Sequence, residues 1–221
     1  MLVHFVRHGE SVSNAAEGGM ALPAAEGDRL TELGRKQADA VAEHLGGIGA
    51  SRILTSPLRR ARETAEILSR RLDLPVDELE EIRELRESEG YEELSLEDQR
   101  LRRWSVWMAA HGDDPGYSYR GGESFNEISA RVRRTQARLL ETGDRTVLAV
   151  SHGIFLRFFL MEVLFAEEFR PSQVQRLWQL GSFNCGISTF EHRDPDRKAN
   201  YALESWSCLS WMERPAPLRT L

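Results

Sequence analysis

The sequence predicts an α/β fold: a mostly parallel central sheet, helices on both faces, and a small inserted cap region. Three observations lead there. Short apolar runs alternate with stretches of helical periodicity along most of the chain. The runs "LVHFV", "SRILTS" and "RTVLAVS" have the look of strands covered on both sides. At 221 residues and 41% hydrophobic side chains, the chain has enough apolar material for a full core. No internal boundary stands out, so residues 1–221 are read as one domain.

The elements follow in order. Residues 2–6 form a strand, and the polar, glycine-containing stretch 12–30 reads as loop. Residues 31–45 form a helix. Thr31 is its N-cap, Leu33, Gln37, Val41 and Leu45 recur at helical spacing, and Gly46, Gly47 and Gly49 end it. A second strand covers 51–56. Pro57 then opens a helix that runs to about Arg71, with Ala61, Thr64, Ala65 and Leu68 as its inner stripe. Residues 74–85 start as a short strand and become irregular and acidic.

Between about 86 and 122 lies the insertion. Its leucines and tryptophans at 92–111 read as one or two helices, and 112–124 as turn. A long helix follows over 124–141, with Phe125, Ile128, Val132 and Leu139 facing inward. Residues 145–151 give the clearest buried strand. The helix 153–165 comes directly after it. Segments 186–193 and 201–208 read as two late strands joined by the turn "DPDRKAN", and the tail "ERPAPLRT" as loose.

Composition narrows the function classes. Against 29 basic residues stand 35 acidic ones, a net charge of −6, which argues against a nucleic-acid partner. A local basic pocket for a small anion is still compatible with that balance. The apolar stretch 153–165 is too short to span a bilayer and carries Arg157 and Glu162, so no membrane partner is expected. Two cysteines do not make a disulfide framework, and the expected setting is a reducing cytoplasm. His111 and His192 lie beside aspartates, but no spacing suits a metal site. Neither metal nor cofactor is expected.

The chemistry gathers at three strand ends. Arg7, His8 and Gly9 follow the first strand. Ser56, Pro57 and a helix bearing Arg59, Arg60 and Arg62 follow the second. Ser151, His152 and Gly153 follow the clearest one. Open α/β sheets bind ligands beyond the carboxyl ends of their strands, so these groups can share one crevice. Arginine forks match phosphate oxygens. Gly9 and Gly153 would permit close backbone approach, and the helix after Gly153 would add an orienting dipole. A neutral histidine there can attack phosphorus, its tautomer fixed by a backbone carbonyl on the other ring nitrogen. The second histidine would stabilise the moving phosphoryl group, and a carboxylic acid would protonate the leaving alcohol. Taken singly, each fragment has a plainer reading: a solvated strand end, an exposed arginine face, a surface run of glutamates at 80–89. Their shared position argues for the pocket.

Together these segments resemble the histidine phosphatase superfamily, the phosphoglycerate-mutase-like family, over nearly the whole chain. The matching blocks are "VRHGES" with Asn14, "RLTELGRKQA", "LTSPLRRARETA", "GGESFNEISARV" and "VLAVSHGIFLR", in family order. The resemblance implies that His8 is phosphorylated, that Arg7 and Arg60 clamp the phosphate, and that His152 is the second pocket histidine. It implies phosphate contact by Asn14 and an entrance lined near Gly19 and Met20. The acid is assigned to Glu84 of "IRE", with Glu87 of "LRE" as the alternative.

The implied activity is a phosphomonoesterase acting on a small phosphorylated metabolite through a phosphohistidine. A mutase that returns the phosphoryl group to a bound acceptor is the alternative, and a non-catalytic binding protein a third reading. Specificity would come from the 12–28 loop and the insertion, where Tyr91, Trp104, Trp107, Tyr117 and Tyr119 either bury the insertion or line the entrance. Arg120 is a candidate for a second negative group on the substrate. The two late strands leave an edge through which a homodimer could form.

Overall fold

The computed structural model describes residues 1–16, 27–86, 113–118, 121–193 and 205–215. The expected helices at 92–111, the turn 194–200, most of the cap, and Gly19, Met20, Glu87, Tyr91, Trp104, Trp107, Tyr119 and Arg120 lie outside those residues.

Six strands make one sheet: β1 (Leu2–Arg7), β2 (Ile53–Thr55), β3 (Val76–Glu78), β4 (Thr146–Ser151), β5 (Ile187–Arg193) and β6 (Ser205–Glu213). Their order is β3-β2-β4-β1-β5-β6. The first four run parallel, whereas β5 and β6 are antiparallel additions at one side. The helices are α1 (Val12–Ala15), α2 (Glu32–His44), α3 (Arg59–Leu72), α4 (Phe125–Glu141) and α5 (Gly153–Phe165).

Both faces of the sheet are covered, as the apolar runs require. In β1 and β4, Val3, Phe5, Val147 and Ala149 pack with α4 and α5 residues such as Ile128, Phe155 and Phe159. The alternate positions Val6, Leu148 and Val150 pack with Val41, Ala61 and Leu68 of α2 and α3. A period of two thus splits each central strand between two cores. Helix α5 is buried almost all round, Gly153 through Glu162 except Arg157, which explains its unbroken apolar run. Among the described residues no helix is long and apolar enough to cross a membrane.

Thr31 caps α2 as expected, accepting from the Gly34 amide at 2.9 Å. The expected inner stripes of α3 and α4 are buried. Two expectations need correction. The inner face of α2 is Gly34, Ala38, Val41 and Ala42, one position on from Leu33 and Gln37. Small residues are selected there because the helix lies directly on the loop after β1. A Cβ on Gly34 would stand 2.1 Å from the Glu10 carbonyl oxygen. The last strand, described from Ser205, runs on to Glu213, beyond the expected end at 208, and residues 201–204 lie outside the described residues. It pairs along all of β5, from Arg193↔Ser205 to Ile187↔Glu213, and register shifts near Thr189 absorb extra residues. Within the 12–30 loop, Val12–Ala15 makes one helical turn.

Candidate active site

Strands β1 and β4 are neighbours, with Arg7 opposite Ser151, and the His8 amide donates to the Ser151 carbonyl at 3.0 Å. The next residues are therefore delivered together. The His8 and His152 rings lie 5.1 Å apart between centroids, and both are buried.

The loop carrying His8 is fastened on several sides. The Gly9 amide donates to Thr64 Oγ1 at 3.0 Å, and that hydroxyl donates to the Arg60 carbonyl at 2.7 Å. This couples the loop carrying His8 to the helix bearing Arg60. The Glu10 amide donates to Gln37 Oε1 of α2 at 2.9 Å. Gly9 is bare for α2 rather than for a ligand, since a Cβ there would meet the Gly34 carbonyl oxygen at 2.5 Å.

The His8 ring has a definite orientation. Its Nδ1 lies 2.7 Å from the Gly9 carbonyl oxygen, which can only accept, so Nδ1 carries the proton. Nε2 then holds the lone pair, and Arg60 Nε donates to it at 3.1 Å. Burial pushes the His8 pKa well below the ordinary histidine value, Arg60 and Arg7 add to this, and the Gly9 contact opposes it. His8 is thus a neutral base at neutral pH. Burial likewise holds His152 neutral, with Arg60, His8 and Arg7 acting in the same sense. His152 Nε2 shares a hydrogen bond with Ser56 Oγ at 2.7 Å, while its buried Nδ1 has no partner among the described residues.

The arginines differ in how they are held. Arg7 Nη1 donates to the Ser182 carbonyl at 2.7 Å, and its buried Nε has no described partner. Burial lowers its pKa to about 10, a shift that Glu84 opposes and Arg157 and Arg60 reinforce, so it remains charged. Of the three arginines after β2, Arg60 alone reaches His8. Arg59 pairs with Glu63 at 2.7 Å at the surface, and Arg62 is exposed. Arg60 Nη1 also pairs with Asp28. Asn14 is exposed, and its Oδ1 accepts from Asn184 Nδ2 at 2.9 Å. The same Asn184 nitrogen donates to the His8 carbonyl at 3.2 Å.

Glu84 reaches the start of α5. Its Oε1 accepts from the amides of Leu85 and Phe155, both at 3.0 Å, and its Oε2 from Ile154 at 3.2 Å. The positive end of α5 is therefore turned to Glu84, and not free to orient a phosphate as the sequence suggested. A Cβ on Gly153 would meet side-chain atoms of Ser182, Arg157 and Arg7 at 2.8, 3.4 and 3.4 Å.

Cys185 is fully buried, its thiol pushed up by burial, and so is packing rather than a nucleophile. His4 faces Thr189, with Nδ1 3.0 Å from Oγ1. Among the described residues no cluster of three histidine, cysteine or acidic residues could hold a metal ion. Sequence reasoning placed Ser56 at its strand end without assigning it a partner, and missed Asp28, Ser182 and Asn184 as supports of the pocket. They are small polar loop residues with no periodicity to mark them.

Fold and site together define a class: an α/β protein with an arginine-flanked pair of histidines at the carboxyl ends of its central strands. The chain belongs to the histidine phosphatase superfamily (branch 1), whose family model matches residues 3–203. A curated relative from Salmonella paratyphi C, described as "Probable phosphoglycerate mutase GpmB", is 31% identical, with 97% of this chain and 96% of the relative covered. The solved "Mycobacterial hydrolase 1" superposes with a TM-score of 0.72 at 25% identity, over 97% of this chain and 99% of that one. A mycobacterial glucosyl-3-phosphoglycerate phosphatase gives a TM-score of 0.70 at 25% identity, over 95% and 98%.

Proposed function

We propose that the protein is a metal-independent phosphomonoesterase that hydrolyses a small organic phosphate through a phosphohistidine. The observation that carries this is the His8 ring itself. It is neutral, its Nδ1 is tied to the Gly9 carbonyl, and its Nε2 lone pair faces Arg60 beside His152. That is a nucleophile aimed into a cationic pocket.

In the first step His8 Nε2 bonds to phosphorus as the ester P–O bond breaks, and a proton on Glu84 passes to the departing oxygen. Arg7, Arg60, Asn14 and His152 hold the equatorial oxygens while charge redistributes. Substrate must displace the Arg60–His8 hydrogen bond, which leaves the Arg60 fork free to turn onto the phosphate. In the second step water attacks phosphorus, gives its proton to the Glu84 carboxylate, and the N–P bond breaks. Inorganic phosphate leaves, and both Glu84 and His8 return to their starting states. Two free thiols, one of them buried, suit a cytoplasmic setting.

One observation favours a second reading. The curated relatives at 31% identity are described as probable phosphoglycerate mutases. A mutase would use the same first step and return the phosphoryl group to a bound acceptor before water arrives.

The test is phosphate release from p-nitrophenyl phosphate with chelator present, alongside His8→Ala, and from a metabolite panel that includes 3-phosphoglycerate. Chelator-resistant release lost in the variant is expected. Phosphoryl exchange between phosphoglycerates without hydrolysis would make the mutase the correct reading. Silence in both assays would leave a phosphate-binding protein.

A further inference from the structure

We propose that the buried ion pair Glu123–Arg131 is a positioning device for Glu84, holding the segment that aims its carboxyl group at the leaving oxygen. This rests on the role of Glu84 in the proposed reaction.

Arg131, on the second turn of α4, is 3% exposed. Its Nε and Nη2 grip Glu123 Oε1 and Oε2 at 2.7 and 2.6 Å, a two-point fork. The remaining nitrogen, Nη1, donates to two backbone carbonyls, Glu81 at 2.8 Å and Arg83 at 2.7 Å. Ser151 Oγ donates to the carbonyl between them, that of Ile82, at 2.7 Å. Glu123 fixes the other side: its amide donates to the Arg86 carbonyl at 2.9 Å, and its Oε2 accepts from the Arg86 amide at 3.1 Å. Glu84 therefore sits between two points held by one ion pair.

The segment has no sheet ladder beyond β3 to hold it, and buried carbonyls need donors. The guanidinium also lies over the Phe155 ring, 5.2 Å from its centroid, and the Phe155 amide is one of the three that grip the Glu84 carboxylate. Arg131 thus reaches both the backbone that carries Glu84 and the residue that receives it. A buried pair adds little stability over a well-packed apolar substitute, so placement is the more economical account of its presence.

Lysine keeps the charge but cannot span two carboxylate oxygens and two carbonyls at once. The experiment compares kcat/KM for phenyl phosphate, whose leaving group needs a proton, with that for p-nitrophenyl phosphate, whose leaving group needs it far less. This ratio reports the first step alone. Glu84→Gln is expected to lose activity mainly on phenyl phosphate.

Arg131→Lys should follow it, losing about tenfold on phenyl phosphate and under about threefold on p-nitrophenyl phosphate. In the Glu84→Gln background, Arg131→Lys should change the phenyl phosphate value by less than about twofold. Equal losses on both esters, or losses that multiply in the double variant, overturn the positioning role. If Glu84→Gln itself shows no preference between the esters, the acid assignment fails and the positioning role with it. Thermal melting checks folding. Should Arg131→Lys melt below the assay temperature, Glu123→Gln, which keeps shape and one acceptor oxygen, is judged by the same comparison.

Discussion

Gly34→Ala sets two physical effects against each other. Alanine is the better helix former by about 1 kcal/mol, so in an exposed helix the change would stabilise. At this site the added Cβ would lie 2.1 Å from the Glu10 carbonyl oxygen and 2.9 Å from the Glu10 carbonyl carbon and nitrogen. All three are backbone atoms, so no rotamer change relieves them. Helix α2 must move off the loop by roughly 1 Å, and overpacking of this kind costs up to about 3 kcal/mol. The net loss is about 2 kcal/mol, which for a chain of this size lowers Tm by about 4–8 °C. The displacement also travels, because Thr31 donates its amide to the Glu10 carbonyl at 2.9 Å and Gln37 accepts from the Glu10 amide. Activity should therefore fall with stability, since Glu10 lies two residues from His8. Scanning calorimetry and kcat/KM on one preparation check this. A Tm equal to or above that of the parent, with full activity, would refute the argument and show that helix propensity wins at this contact.

Three further outcomes are expected. Because His8 and His152 stay neutral in the fold while histidines of the unfolded chain take up protons below about pH 6.5, acidification favours unfolding. The two together should cost about 2.7 kcal/mol per pH unit below that point, measured by urea denaturation, and His152→Gln should remove about half the slope. Arg60→Lys loses the fork that turns onto the phosphate once substrate displaces the Arg60–His8 bond, and two charge-assisted bonds to phosphate oxygens are worth about 3 kcal/mol together. Steady-state kinetics should show kcat/KM falling by about a hundredfold. In a thiol titration of the native protein Cys208, only part-buried, should react at most, with Cys185 appearing after denaturant is added.

The fold was legible because its central strands are continuous apolar runs and its helices α3 and α4 carry clean inner stripes. On α2, Val41 and Leu45 were read correctly as inner positions but Leu33 and Gln37 were not, because the residues buried in their place are Gly34 and Ala38, which carry little hydrophobic signal beside Leu33. The last strand was ended early, at 208, because the length of β5 rather than any local signal dictates where pairing ends. At the site, Arg7, His8 and His152 stood out because each lies at a strand end, whereas Arg60 was singled out from Arg59 and Arg62 by the family resemblance. The supports around them did not. Ser56 gains its partner from a residue 96 positions away, and Asn184 from one 170 away. The use of the α5 terminus by Glu84 was equally invisible, since it depends on a loop crossing to another element.

The adjacency of β1 and β4 has an evolutionary consequence. The spacing of the two histidines is set by hydrogen bonds between neighbouring strands, not by the length or sequence of any loop. Changes in the connections that leave the strands therefore do not retune the distance between the two rings. The geometry of the histidine pair is inherited from the sheet, so loop sequences can drift without disturbing it.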